Sequence, residues 1–173
     1  MTPNLFSPIT IGGLTLANRI TVSPMCQYSA IDGSANDWHL QHLGSLSLSG
    51  AGMVIVEMTA VTPGGRITPA GLGLYSDANE AVLERVVATC RRCGNTRLGI
   101  QLAHAGRKAS VDVPWLGGMA LSATEGAWQS VAASAVAFDH DWPAPQTLGA
   151  EGASASVTPS PSPRAGPTGS ALI

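Results

Sequence analysis

The sequence predicts an α/β fold assembled from parallel βα units, and three observations carry that prediction. Short apolar, β-favouring runs begin near residues 20, 53 and 98. The two segments between them place apolar residues at helical spacing. Glycine, proline or a capping residue marks the joints where one periodicity gives way to the other. Strands that alternate with helices in this way pair in parallel through right-handed crossovers.

The chain opens with Ile9 to Ile11 and Leu14 to Leu16 around Gly12-Gly13, a pattern that predicts a β-hairpin with a turn able to take φ > 0. Asn18-Arg19 leads into a first buried strand, Ile20 to Ser23. After a polar loop from Ile31 to Ala35, Asp37 is placed to cap a helix of Trp38 to Ser49, with Leu40, Leu43, Leu46 and Trp38 on one face. Gly50 and Gly52 stop it. Met53 to Met58, apolar except for Glu57, reads as a strand buried on both faces.

Thr62 to Gly73, rich in Gly, Pro and Thr, predicts a long loop. Asp77 with Glu80 makes a capping-box-like start to a helix reaching Arg92. Val82, Leu83, Val86 and Val87 face inward, Arg91 and Arg92 sit where the helix dipole favours cations, and Gly94 ends it. Leu98 to Ala103 is the third buried strand. Eight such units need a chain of about 250 residues, the usual size of a (β/α)8 barrel; this one, at 173 residues, holds about three. Beyond Ala109 the periodicity dissolves into a long loop with one short strand within Val131 to Phe138. From residue 149 the chain is almost wholly Ala, Ser, Pro, Gly and Thr, a composition that predicts a disordered tail. The division is therefore a partial α/β domain, 1–148, and a low-complexity tail, 149–173.

Bulk properties narrow the function. A net charge of −2 gives no electrostatic reason to expect nucleic acid or an anionic membrane as partner. The apolar runs are too short to span a bilayer, and Met1 to Thr10 has neither the basic start nor the continuous apolar stretch of a signal peptide. Three cysteines, an odd number, then read as reduced thiols in a cytoplasm.

Ser23-Pro24-Met25-Cys26-Gln27-Tyr28-Ser29 carries the chemical interest. A proline breaks the first strand, and a thiol and a phenol follow with one residue between them, so in extended geometry they point the same way. A site at the strand tip is one reading, and a strand entering an ordinary turn is the other. The three strands end at Ser23–Cys26, Thr59–Ala60 and Gln101–His104. In a parallel arrangement those ends share one face, where ligands bind. Small, amide, thiol and imidazole groups suit hydrogen bonding to a planar heterocycle better than hydrolysis. No Ser-His-Asp pattern, paired carboxylates or GxxxxGK loop is present.

Leu5-Phe6-Ser7-Pro8, Leu16-Ala17-Asn18-Arg19-Ile20, Ser23 to Tyr28, Gly65-Arg66-Ile67 and Gln101-Leu102-Ala103-His104-Ala105-Gly106-Arg107-Lys108 resemble the Old Yellow Enzyme family. They are most similar to its bacterial branch with a cysteine at the flavin, the xenobiotic reductases and related ene-reductases. Trp128-Gln129 and Ser134 to Pro145 resemble the loop before the family's fourth strand, and the likeness fails from about Gly149. The switch there reads as a truncation or a change of reading frame.

The resemblance implies the N-terminal portion of an FMN-binding (β/α)8 barrel, an NAD(P)H oxidoreductase that reduces activated alkenes by hydride transfer from reduced flavin. It implies that Ser23, Pro24, Met25 and Cys26 line the flavin, with the Cys26 thiol near its reactive edge. Tyr28 contacts the substrate, and Cys26 and Tyr28 are the catalytic pair. Ala60 meets the pyrimidine side through its main chain, Gln101 hydrogen-bonds that ring edge, and Arg107 has a supporting role. Full-length relatives are expected to be homo-oligomers. The family's substrate-holding histidine pair, flavin-side arginine and glycine-rich phosphate loops have no counterpart here, which implies weak FMN binding or none by the chain alone. Dienoyl-CoA reductase relatives share the barrel but carry an iron–sulfur cysteine cluster not found in this sequence. The reading from another class is a truncated, non-catalytic remnant that does not bind flavin productively.

Other groups have bland alternatives. Cys90-x-x-Cys93 and the pair His39 and His42 have ligand-like spacing, but the cysteines end a capped helix, and no metal site is assigned. His104 is a structural or pocket-edge group. Trp115, Trp128 and Trp142 form either a substrate lid or packing beneath the loop.

Overall fold

A computed structural model of the chain describes residues 4–150 and 152; the low-complexity tail falls almost wholly outside them. The predicted hairpin forms as β1 (Ile9–Ile11) and β2 (Leu14–Leu16), antiparallel with Ile9 opposite Leu16. A four-stranded parallel sheet follows. Its centre is β4 (Met53–Ala60), paired on one side with β6 (Arg97–Ala103), and with β3 (Thr21–Val22) at its start and β5 (Leu72–Gly73) at its end. Helices α1 (Asp37–Ser47) and α2 (Asp77–Cys93) pack against each other.

The core lies between these helices and the sheet. Val54 and Val56 of β4, Leu72 of β5, Leu43 of α1, and Leu83, Val86, Val87 and Cys90 of α2 are buried in one cluster. Alternation along β4 explains why Val54 and Val56 face the helices while Met53 and Ile55, on the other face, are only half-buried. At the bottom of the helix pair, the Ser47 carbonyl accepts from Thr96 Oγ1 at 3.0 Å.

Several expectations are corrected. The first strand is two residues long and lies at the edge of the sheet, with Thr21 exposed, because Asn18 and Pro24 close it off at either end. Asn18 Oδ1 accepts from the N–H groups of Ile20 (3.0 Å) and Gly52 (2.8 Å), and its Nδ2 donates to the Gly50 carbonyl (2.8 Å). That side chain ties the start of β3 to the start of β4. A Cβ on Gly52 would collide with the Asn18 carbonyl, so close approach of the two turns needs glycine there.

Helix α1 is capped by Asn36, not Asp37: the Asn36 Oδ1 accepts from Trp38 N–H at 3.0 Å, and His39 Nδ1 accepts from Asn36 N–H at 3.2 Å. Trp38, expected inward, is 49% exposed, and His39 takes the buried position instead. Helix α2 is likewise capped one residue earlier, by Ser76, but its inward face and charged last turn are as predicted. The third strand is not buried on both faces: Gln101 and Leu102 are exposed, and β4 is its ladder partner among the described residues. The loop of residues 62–73 contains β5, and β7 (Val131–Ala132) pairs with an unpredicted β8 (Gln146–Thr147).

Candidate functional site

Parallel pairing puts the C-terminal ends of β3, β4 and β6 on one side of the sheet, and Met58 is their common neighbour. Gln101 is its ladder partner on β6, and Ala60 lies two residues on, opposite Ala103. On the other flank, the pairing of Val22 with Val54 carries the chain towards Cys26, where the Met58 backbone lowers the thiol's pKa. The sequence-predicted Cys26, Ala60 and Gln101 are therefore brought to one strand-tip region. Gln101 is exposed, and no hydrogen bond engages its amide among the described residues. Ala60 is fully buried, its carbonyl accepting from Leu74 N–H at 2.9 Å.

Cys26 and Tyr28 meet, though not by strand alternation. Residues 23–30 form no ladder, and Tyr28 has φ +48°, in the left-handed region. The turn brings its hydroxyl beside the Cys26 thiol, so that each group shifts the other's ionisation. Burial, with the Glu57 charge second, pushes the Cys26 thiol up, while hydrogen bonds from Met58 and Tyr28 oppose the rise. Burial also raises the Tyr28 phenol, reinforced by Cys26 and then Glu57. Both groups are thus held protonated. Ser23 and Met25 are exposed and Pro24 half-buried along the same segment.

Glu57 and His39 are what sequence reasoning missed here. The ladder register slips between Val56 and Met58, a bulge that takes Glu57 out of alternation. Its carboxylate is 4% exposed, accepts from Gln27 N–H at 2.9 Å, and lies 3.5 Å from His39 Nε2. The available signal was a carboxylate in an apolar run, which needs a buried partner.

The remaining candidates separate. Only Trp115 of the three loop tryptophans reaches the pair, edge-on to Tyr28 at 5.9 Å. Trp128 donates to the Gly64 carbonyl at 3.0 Å, and Trp142 packs against Phe138 with the rings tilted by 55°. His104 Nδ1 accepts from Gly106 N–H at 3.0 Å and its ring crowds Gly65, a structural placement that lowers its pKa through burial. Arg107 donates to Ser134 Oγ at 3.2 Å. Cys90 is buried and Cys93 exposed, His42 stacks on Trp38, and no metal-ligand cluster exists among the described residues. A cavity of about 220 Å³ is lined by loop residues including Ser110, Trp128 and Trp142, and one of about 730 Å³ by residues including His104, Lys108 and Phe138. Neither includes Cys26, Tyr28, Ala60 or Gln101.

This donor set fits a flat heterocycle: an exposed amide on one flank of Met58, a thiol and phenol on the other. A phosphate is not provided for. Both helix N-termini at this end are closed by their own side chains, Asn36 and Ser76, which removes N–H groups that an anion would use.

A hairpin followed by parallel βα units with polar strand tips defines the chain as part of an α/β barrel. Residues 4–137 match the NADH:flavin oxidoreductase / NADH oxidase family, and the chain belongs to that family. It is 49% identical over 136 residues to an NADH:flavin oxidoreductase of Gibberella zeae, covering 77% of this chain and 33% of the relative. It is 39% identical over 153 residues to an NADPH dehydrogenase of Bacillus subtilis, covering 87% and 40%. Morphinone reductase superposes with a TM-score of 0.69 at 26% identity, over 90% of this chain and 42% of that one. An Old Yellow Enzyme from a Pichia species, at 23% identity and TM-score 0.73, shows the shared fold over 89% and 40%. The chain thus spans between about a third and two fifths of its relatives' length. Among the described residues no helix is long and apolar enough to cross a membrane.

Proposed function

We propose that the chain is the flavin-side, N-terminal portion of an FMN-dependent NAD(P)H oxidoreductase of the ene-reductase type, of the branch with a cysteine at the flavin, working in the cytoplasm. The observation that carries this reading is the register that brings Cys26 and Gln101 to opposite flanks of Met58, with Tyr28 beside Cys26. FMN, when bound, supplies hydride transfer from NAD(P)H to a small alkene activated by a carbonyl or nitro group.

The chain's own residues bind and orient. Ser23, Pro24 and Met25 line the ring through their main chain, and the Gln101 amide hydrogen-bonds the ring edge. Cys26, kept as a neutral thiol, adds no charge beside the ring. Tyr28 presents its phenol to the substrate. Ala60, its surface covered, serves by fixing the tip of β4. Residues 1–148 act as the flavin-side unit.

The test is anaerobic. With FMN added, the chain should oxidise NADPH beyond the amount of FMN present only when cyclohexenone is there to reoxidise the flavin, and Tyr28→Phe should slow that turnover about three- to tenfold, in the range of one lost hydrogen bond. Absence of enone-dependent oxidation would favour the second reading, a non-catalytic remnant. The capped helix N-termini, which leave the phosphate without a cradle here, are the observation behind that alternative.

A further inference from the structure

We propose that the buried Glu57–His39 pair is the positioning device of the Cys26–Tyr28 site, pinning from beneath the peptide that joins the two side chains. The inference rests on the reading of that pair as the flavin-side site. Gln27 is the residue between them, and its N–H donates to Glu57 Oε2 at 2.9 Å. Nothing in the local ladder could do this, because residues 23–30 pair with no strand. The same segment must hold Tyr28 at φ +48°, a conformation unfavourable for a residue with a Cβ, so an external anchor is needed.

His39 supplies the other half. Its Nδ1 lies 3.2 Å from Asn36 N and 3.1 Å from Asn36 Oδ1, and its Nε2 faces Glu57 Oε1 at 3.5 Å. Nε2 is buried with no other partner. The cap of α1 therefore fixes the ring's position, and the tautomer in which Nδ1 accepts from Asn36 N–H presents a donor to the carboxylate. The bulge in β4 aims Glu57 at this junction, linking α1, β4 and the site segment.

The arrangement has an electrostatic consequence. The ionisable groups facing Cys26 are Tyr28 on its own segment and Glu57 from β4, with His39 of α1 behind Glu57; Gln101 of β6 carries no charge. The Glu57 charge opposes ionisation of both Cys26 and Tyr28. Removing the charge while keeping the side chain's shape should make Cys26 a better nucleophile, and replacing the carboxylate by an apolar side chain should free the Gln27 amide.

The experiment uses the 173-residue chain without flavin. Cys26 alkylation by iodoacetamide is followed site by site by mass spectrometry across pH, with exposed Cys93 as the internal reference. Amide exchange at Gln27 is measured in parallel. In Glu57→Gln, with the circular dichroism of the native chain retained, the Cys26 rate relative to Cys93 at pH 8 should rise about three- to tenfold, because loss of the carboxylate charge lowers the thiol's pKa. In Glu57→Leu, which has no acceptor, Gln27 exchange should accelerate while α2 stays protected. A rate ratio within about twofold of the native one, or unchanged Gln27 protection, would overturn the proposal. If the variant does not fold, the native chain decides: Gln27 protected well beyond Met25 supports the anchor, and equal exchange refutes it. Because no flavin is present, either result is independent of whether the chain binds FMN.

Discussion

Tyr28 concentrates the local physics of this molecule. A tyrosine in the left-handed region costs on the order of 1–3 kcal/mol, and such a conformation persists only where surrounding contacts over-determine it. Three contacts do so: its hydroxyl beside the Cys26 thiol, the edge of Trp115 against its ring, and the Gln27 N–H held by Glu57. The hydroxyl and the carboxylate pull the thiol in opposite directions. Tyr28→Phe removes a donor that stabilises the thiolate, so the pH midpoint of Cys26 alkylation should rise, the opposite of the Glu57→Gln outcome. A midpoint that falls in both variants would show that the hydroxyl does not reach the sulfur. At this scale the sequence was legible in part. The Cys-x-Tyr spacing announced that the two side chains meet, but for a reason, strand alternation, that the turn replaces. Glu57 was visible only as an interruption in an apolar run, since alternation alone cannot foresee a bulge.

Among the elements, those with strong periodicity were readable and those defined by one contact were not. The hairpin, β4 and the inward face of α2 follow from the placement of apolar residues. The caps of α1 and α2 lie one residue earlier than the acidic residues indicated, because Asn36 and Ser76 have the extended backbone and short side chain that reach the first turn. β5 and β8, two residues each, have too little sequence for any period. The join between β3 and β4 depends on Asn18, whose three hydrogen bonds span both turns. Asn18→Ala should leave two N–H groups without their acceptor and cost about 1–3 kcal/mol. Urea unfolding should show a lower midpoint at unchanged slope. A midpoint within error of the native chain's would mean that water replaces the side chain freely.

For the whole molecule, ionisation sets a window of stability. Cys26, Tyr28 and Cys90 are raised chiefly by burial, so each binds its proton more tightly folded than unfolded. Their contribution is complete below the ordinary thiol value of 9.0 and is lost as pH climbs through the raised folded values. His104 is lowered by burial, so its contribution is present above the ordinary imidazole value of 6.5 and is lost as pH falls through the lowered one. Thermal unfolding should therefore be steadiest between pH 6.5 and 9.0, with Tm declining on both sides. A Tm still rising above pH 9.0 would show that these groups are not buried as described.

The barrel class was readable from the order of its units, whereas the exposure of β6 was not: Leu102, 55% exposed, follows from which strands pair, a property of the assembly rather than of the run itself. The parallel convergence of strand tips beside Met58 is what makes a flavin site plausible, and titration with riboflavin and FMN, followed by flavin fluorescence, examines it most directly. On the proposed reading the described residues meet the ring and offer no phosphate cradle, so both ligands should be quenched weakly and at similar concentrations, and Gln101→Leu, with its circular dichroism intact, should abolish the quenching. No quenching by the native chain, or quenching that Gln101→Leu leaves unchanged, would contradict the site.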